Sequence, residues 1–99
     1  MLTIKTIGSG SSGNAFILDD GHTQLLLECG LSFNKIAEKM NYDFRRLSAC
    51  LITHEHLDHC KGVAGFTANT SVSVLASNGT VQGIKALNTF KSGLNDAQI

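Results

Sequence analysis

Hydrophobic and polar residues alternate along the first third of the chain. In "LTIKTIG" (residues 2–8) the alternation of Leu2, Ile4 and Thr6 predicts a β-strand. The segments "NAFILDD" and "TQLLLEC" predict two further strands, and the Asp20-Gly21 pair between them is typical of a tight turn with positive φ. The chain is therefore expected to open with a β-hairpin rather than with a helix.

From residue 32 the spacing of the hydrophobic positions changes to that of a helix. Apolar residues recur at i, i+3, i+4 and i+7 on one face of "SFNKIAEKMN". Ser32 can cap the start of this helix, and Asn41 can adopt the left-handed conformation at its end. The run "ACLIT" (49–53) is compatible with a buried strand, although its length alone does not exclude a helix.

The second half alternates helices with strands. "VAGFTA" and "NGTVQGIKAL" have helical spacing, whereas "SVSVLA" alternates as a strand. A hairpin followed by alternating strands and helices predicts an α/β fold, with helices packed against a sheet.

The amino-acid composition excludes only a few functional classes. The chain has 99 residues, enough for one small domain, and its eight basic and eight acidic residues cancel. No overall field therefore attracts it to nucleic acid or to anionic lipid, and no signal peptide or membrane span is predicted. The three cysteines have no C-x-x-C spacing, so we expect free, buried thiols and a cytoplasmic location.

The segment "GSGSSGN" (residues 8–14) matches the G-x-G-x-x-G dinucleotide fingerprint. That fingerprint requires a strand that leads into a helix, whose N-terminus holds the pyrophosphate. Here the predicted order is strand, loop, strand, so we reject nucleotide binding by this motif. Two interpretations stay open, namely a flexible connection and a loop whose small residues let the backbone approach a site built elsewhere.

The candidate chemistry lies in "LITHEHLDHCKG", directly after the predicted buried strand. Residues i and i+2 of an extended chain project to the same side, so His54 and His56 can direct two imidazoles at one point. If a helix follows, Asp58 and His59 add an oxygen and a nitrogen ligand nearby, and this donor set suits zinc, iron or manganese. The alternative is a polar loop in which Asp58 only caps the helix, but it does not explain three clustered histidines. The H-E-x-x-H zinc motif does not match, and we expect Glu55 to be solvated.

The segment that contains these residues, "THEHLDH", resembles the H-x-H-x-D-H signature of metallo-β-lactamase-fold hydrolases. "IGSGSSGNAFIL", "LLLECG" and "SVSVLAS" resemble, in order, the family's opening strand-loop-strand, its acidic strand end and the strand after the metal-loop helix. Together the similarity covers roughly residues 1–87. "GSGSSGN" in particular is similar to a bacterial and phage cytoplasmic branch with predicted phosphodiesterase or nuclease activity.

The resemblance implies that residues 1–99 are a single partial domain, the N-terminal half of an αββα sandwich with a mixed sheet and helices on one face. His54 and His56 would bind one divalent metal, Zn or Mn, and Asp58 and His59 a second; Asp58 would also be the catalytic carboxylate. Glu28 stands where the family usually has aspartate and would support the metal ligands. The implied reaction is hydrolysis of nucleic acid or another phosphodiester by a metal-activated hydroxide.

The chain departs from the family pattern after His59. It contains no later histidine, and its only later acidic residue is Asp96, so further family ligands are absent. We therefore expect weak or partial metal occupancy, little hydrolysis by this chain alone, and either a missing C-terminal half or a homodimer that covers the sheet. Two alternatives are a non-catalytic interaction module and a helix-turn-helix in "FNKIAEKMNYDFRRLS" that contacts DNA phosphates through Arg45 and Arg46.

Overall fold

The fold is described by a computed structural model that covers residues 1–53 and 56–87. Each predicted strand and helix is present there, with ends shifted by a few residues. The strands are β1 (Thr3–Gly8), β2 (Ala15–Asp19), β3 (Gln24–Leu27), β4 (Leu47–Leu51) and β5 (Ser73–Leu75). The helices are α1 (Phe33–Lys39), α2 (Leu57–Cys60), α3 (Val63–Asn69) and α4 (Asn78–Leu87).

The five strands form one mixed sheet in the order β1-β2-β3-β4-β5. β2 is antiparallel to β1 and β3, whereas β4 and β5 continue parallel to β3. The carboxyl ends of β1, β3 and β4 consequently lie at the same edge of the sheet. The glycine loop, Glu28 and the histidine-rich segment follow these three strands, so the topology brings all three to that edge.

One face of the sheet carries the hydrophobic core. Ile17, Leu26, Cys50 and Val74 are aligned across four strands by the register of pairing, and none of them is more than 4% exposed. The helices pack against this row with buried side chains that include Ile36 of α1, Phe66 of α3 and Ile84 of α4. This arrangement confirms the predicted α/β fold with helices on one face of a mixed sheet.

The opposite face of the sheet is also apolar but is not covered by the described residues. Phe16, Leu27 and Leu51 form a half-buried row across it, and Leu75 continues the row with 52% of its surface exposed. Ile4 on the edge strand is 66% exposed. Burial of an apolar side chain of this size stabilises a fold by about 1.5–3 kcal/mol, so this face is a strong candidate for contact with further protein.

Local signals in the sequence are reproduced at the turns and caps. The Ser32 hydroxyl accepts a hydrogen bond from the Lys35 N–H, and Asn41 adopts φ 55° after α1. Gly21 in the predicted hairpin turn has φ 93°. The three cysteines are buried and form no disulfide in the described part of the chain, as predicted. Over residues 1–53 and 56–87 no helix is long and apolar enough to cross a membrane.

The helix-turn-helix interpretation is wrong. After α1 the chain passes through turns directly into β4 at Leu47, so there is no second helix where that motif requires one. Both arginines are held by carboxylates, Arg45 by Asp43 at 2.9 Å and Arg46 by Asp19 at 2.7 Å. The basic pair thus belongs to local ion pairs rather than to a DNA-reading helix.

We expect the Asp19–Arg46 ion pair to make stability depend on acid pH. The hydrogen bonds from the Arg46 guanidinium and the Gly21 N–H hold the pKa of Asp19 well below its ordinary value. Because this pKa is depressed on folding, the stabilisation is complete above the unfolded pKa of about 4 and is lost as the pH falls below it. Wild type should therefore lose more stability than Asp19→Asn between about pH 6 and about pH 3.

Urea unfolding at the two pH values measures this difference. Glu38→Gln is the matched control, since Glu38 lies exposed on α1 and forms no ion pair with a described residue. Equal pH dependence of wild type and Asp19→Asn would contradict the assignment.

Candidate functional site

Glu28 lies directly after β3 in an unusual backbone conformation. Its φ is 64°, in the left-handed region, and the residue is only 6% exposed. For a residue other than glycine this conformation costs about 1 kcal/mol or more, and it persists only where surrounding contacts impose it. Here the Glu28 N–H donates to the Leu51 carbonyl at 2.8 Å and the next N–H, of Cys29, donates to the His59 carbonyl at 2.7 Å. The turn thereby joins the end of β3 to the histidine-rich segment.

The Glu28 carboxylate connects two residues of that segment. Oε1 accepts a hydrogen bond from the Thr53 N–H at 2.9 Å, and Oε2 accepts one from the Thr53 hydroxyl. Oε2 also lies 2.8 Å from Nδ1 of His59. Burial alone would raise the pKa of Glu28, but the hydrogen bonds from Thr53 and His59 outweigh it, so the pKa is lowered and the carboxylate is ionised at neutral pH.

This contact determines which nitrogen of His59 can bind a ligand. A carboxylate at Nδ1 favours the tautomer in which Nδ1 carries the proton, which places the lone pair of the neutral ring on Nε2. The same carboxylate–imidazole pairing orients histidines that ligate metals in many proteins. The His59 side chain is 18% exposed, so the ring is partly accessible.

The structure describes part of the predicted ligand set. His56 is exposed, and its carbonyl accepts the N–H groups of His59 and Cys60 as α2 begins. α2 starts at Leu57, so Asp58 lies within its first turn rather than at the capping position before it. His54, Glu55 and the side chain of Asp58 lie outside the described residues.

The donor chemistry at this edge fits a divalent cation. An ionised, buried carboxylate oriented toward an imidazole supports a cation ligand, because it fixes the tautomer and the direction of the ring. Within the part of the chain that the structure describes, no three His, Cys, Asp or Glu side chains are grouped closely enough to hold a metal. The predicted site therefore depends on His54 and Asp58 together with His56 and His59.

Thr53 is a site residue that the sequence reasoning missed. It donates both its backbone N–H and its hydroxyl to Glu28, and it immediately precedes His54. The only signal in the sequence is that Thr53 is the polar residue at which the apolar run "ACLI" ends. That position does not reveal a partner 25 residues earlier in the chain.

The glycine loop packs against the segment that follows Glu28. A Cβ on Gly13, whose φ is 146°, would lie 2.4 Å from the Gly30 carbonyl oxygen. The Gly30 N–H in turn donates to the Asn14 carbonyl at 2.9 Å. The loop connects two strands, β1 and β2, which agrees with the rejection of a dinucleotide fingerprint. Its small residues let two backbone segments touch beside the site.

Comparison with known proteins identifies the family. The model of the family "Anti-Pycsar protein Apyc1" matches residues 2–76. The exodeoxyribonuclease WalJ of Streptococcus pneumoniae serotype 2 (strain D39) is 38% identical over 82 residues, which cover 80% of this chain and 30% of WalJ. Anti-Pycsar protein Apyc1 of Paenibacillus harenae is 34% identical over 70 residues, covering 64% of this chain and 29% of that protein. The chain thus spans about 30% of the length of these curated relatives.

Solved structures show the same fold. Human tRNase Z, short form, superimposes with a TM-score of 0.66 at 19% identity, over 87% of this chain and 39% of that one. A B3 metallo-β-lactamase with an active-site glutamic acid gives 0.67 at 24% identity, over 83% of this chain and 32% of that one. On this evidence the chain has the metallo-β-lactamase fold and belongs to the anti-Pycsar protein Apyc1 family.

Proposed function

We propose that this chain carries the first part of the active site of a metal-dependent, nuclease-like phosphodiesterase of the metallo-β-lactamase fold. The observation that carries the proposal is the Glu28 carboxylate at Nδ1 of His59, which orients an imidazole beside the end of β4. Relatives named exodeoxyribonuclease and ribonuclease Z support nucleic acid as the substrate class. Three buried cysteines that form no disulfide in the described part of the chain support the reducing cytoplasm as the place of action.

In this proposal His54 and His56 hold one cation, and Asp58 and His59 hold the second, with zinc or manganese as the metal. When bound, the cations supply Lewis acidity that neutralises phosphodiester charge and lowers the pKa of water. The chain's own contribution is orientation: Glu28 keeps His59 in one tautomer, and Thr53 keeps Glu28 in place. Asp58 is proposed as the catalytic carboxylate.

The four proposed ligands provide two for each cation, whereas a catalytic zinc ion usually has about three protein ligands. We therefore propose that this chain alone binds metal weakly and hydrolyses little. The remaining ligands would come from a C-terminal half that also covers the apolar sheet face of Phe16, Leu27 and Leu51; a second copy would cover this face but would still lack those ligands.

Metal titration with the isolated chain tests the proposal. Calorimetry with Zn²⁺ and with Mn²⁺ should show weak binding, and His59→Ala should reduce it by about tenfold or more. His22→Ala is the matched control, since His22 lies exposed in the hairpin turn after β2. Unchanged binding in His59→Ala would exclude this residue as a ligand, and two tight sites per chain would contradict the incomplete site. Cleavage of a labelled oligonucleotide in the same samples gives the activity.

The second candidate function is a non-catalytic interaction module, and the uncovered apolar sheet face is the observation that favours it. A chain of this kind would form a tight homodimer or hetero-complex with metal content near zero. Light scattering together with metal analysis of the purified chain separates the two functions. A metal-binding monomer would argue against the module.

A further inference from the structure

A cavity of about 380 Å³ lies between the glycine loop and α1. Its walls are formed by two pairs of loop residues, by apolar residues on either side and by α1 side chains: Gly8, Ser9, Ser12, Gly13, Ile7, Leu31, Lys35, Glu38 and Lys39. We propose that this cavity binds a phosphate of a single-stranded nucleic acid next to the metal centre. The inference rests on the proposed function for its substrate class, but it can be tested without metal or catalysis.

The charge around the cavity is positive although the chain as a whole is neutral. Both arginines are neutralised by Asp43 and Asp19, as described above. In contrast, Lys35 and Lys39 form no ion pair with any described carboxylate. They are four residues apart in α1 and so lie on the same side of the helix, one turn apart. Among the described residues of the cavity wall Glu38 is the only carboxylate, so these residues together carry a net positive charge.

Two more lysines extend this positive region. Lys5 donates to the Lys39 carbonyl at 2.8 Å, which brings a third ammonium group to the end of α1. Lys61 donates to the Ser12 carbonyl at 2.8 Å, on the part of the loop that lines the cavity. Neither ammonium group is paired with a carboxylate of the described residues. Lys35 and Lys39 in the cavity wall, with Lys5 and Lys61 bonded to residues of that wall, therefore give a polyanion four ammonium groups that form no ion pair with a described carboxylate.

Backbone hydrogen bonds connect the segment that lines the cavity to the histidine-rich segment. Leu31 lines the cavity, and two residues earlier the Cys29 N–H bonds to the His59 carbonyl. On the other side, the Gly62 N–H donates to the Cys29 carbonyl at 2.8 Å, directly after Lys61. Residues 29–31 thus connect the wall of the lysine-lined cavity to the histidine-rich segment, and we infer that one substrate strand engages both.

The residues that line the cavity can bind one nucleotide of a single-stranded nucleic acid. Lysine ammonium groups bind phosphate as point charges, and the Ser9 and Ser12 hydroxyls can donate to phosphate oxygens. Ile7 and Leu31 provide an apolar wall for sugar or base. The volume lies within the range of about 300–1,000 Å³ that is typical of small-ligand sites.

Binding of a fluorescein-labelled decathymidylate, measured by fluorescence anisotropy in EDTA over a series of salt concentrations, tests the inference. Lys35→Gln/Lys39→Gln should weaken binding about tenfold or more and lower the salt slope by about 1.4, since each lost phosphate contact removes about 0.7 for single strands. Arg45→Gln/Arg46→Gln removes the same charge from ion-paired positions and should change affinity less than about twofold. Thermal melts establish that both double variants are folded.

Equal loss in the two double variants, or no loss in Lys35→Gln/Lys39→Gln, would overturn the inference. A mononucleotide or inorganic phosphate that competes as strongly as the unlabelled decamer would identify a free phosphate site instead and would also overturn it. His22→Ala, in the exposed hairpin turn after β2, should bind the decamer like wild type. Because the assay contains EDTA, its result does not depend on metal binding. The failure of the hydrolase proposal and the failure of this cavity assignment are therefore distinguishable.

Discussion

Glu28→Gln is expected to weaken zinc binding by about 10- to 100-fold, the usual effect of removing a carboxylate that orients a metal-binding histidine. The carboxylate accepts two hydrogen bonds from Thr53 and one from His59. Glutamine has one acceptor oxygen and an NH₂ group that cannot accept, so at least one of these donors loses its partner. Because Glu28 is buried, the metal-free protein should also lose about 2 kcal/mol of stability.

Three measurements distinguish a role of Glu28 in orienting the His59 ring from a role in protein stability alone. Zinc titration gives the affinity, urea unfolding in EDTA gives the stability, and ¹⁵N spectra of His59 report which ring nitrogen carries the proton. Glu38→Gln on the exposed side of α1 is the matched control and should leave all three unchanged. Glu28→Asp keeps the charge and should recover part of the affinity. A Glu28→Gln variant with the wild-type His59 tautomer and zinc affinity would remove the role given to Glu28.

Gly62→Ala is expected to lower the free energy of unfolding by about 3 kcal/mol, the upper end of the usual cost of overpacking. A Cβ at this position would lie 2.0 Å from the Leu31 carbonyl oxygen and 3.2 Å from that of Cys29. Both obstacles are backbone atoms, so no side-chain rotation can relieve the clash. The hydrogen bond from the Gly62 N–H to the Cys29 carbonyl would be stretched at the same time.

Thermal unfolding measures this effect. For a domain of about this size, 3 kcal/mol corresponds to a fall in Tm of roughly 12–24 °C. Gly79→Ala in α4 is the control, because nothing lies within 4 Å of its Cβ position and alanine favours a helix. Its Tm should stay the same or rise. A Gly62→Ala protein as stable as Gly79→Ala would show that the contact between residues 29–31 and 62 is not tight.

The local spacing of hydrophobic residues was sufficient to predict the order of the strands and helices. The alternation in "NAFILDD" and the helical spacing of "SFNKIAEKMN" are properties of neighbouring residues, and both elements are found where they were predicted. The predicted strand at 49–53 lies at 47–51 instead, because its position is determined by pairing of Leu47 with Gln24 and of Leu51 with Leu27 in β3. Strand ends depend on the neighbouring strand, which the local pattern does not contain.

Residue types and spacing in the sequence by itself determined the family resemblance, the α/β order and the four candidate metal ligands of "HEHLDH". Only the tertiary structure decided that Thr53 and His59 meet the Glu28 carboxylate, and that Lys61 reaches Ser12. These partners are 25, 31 and 49 residues apart in the chain. The physical reason is that strand register and the close approach of backbone at glycines decide which distant side chains meet, and neither is a property of any short segment.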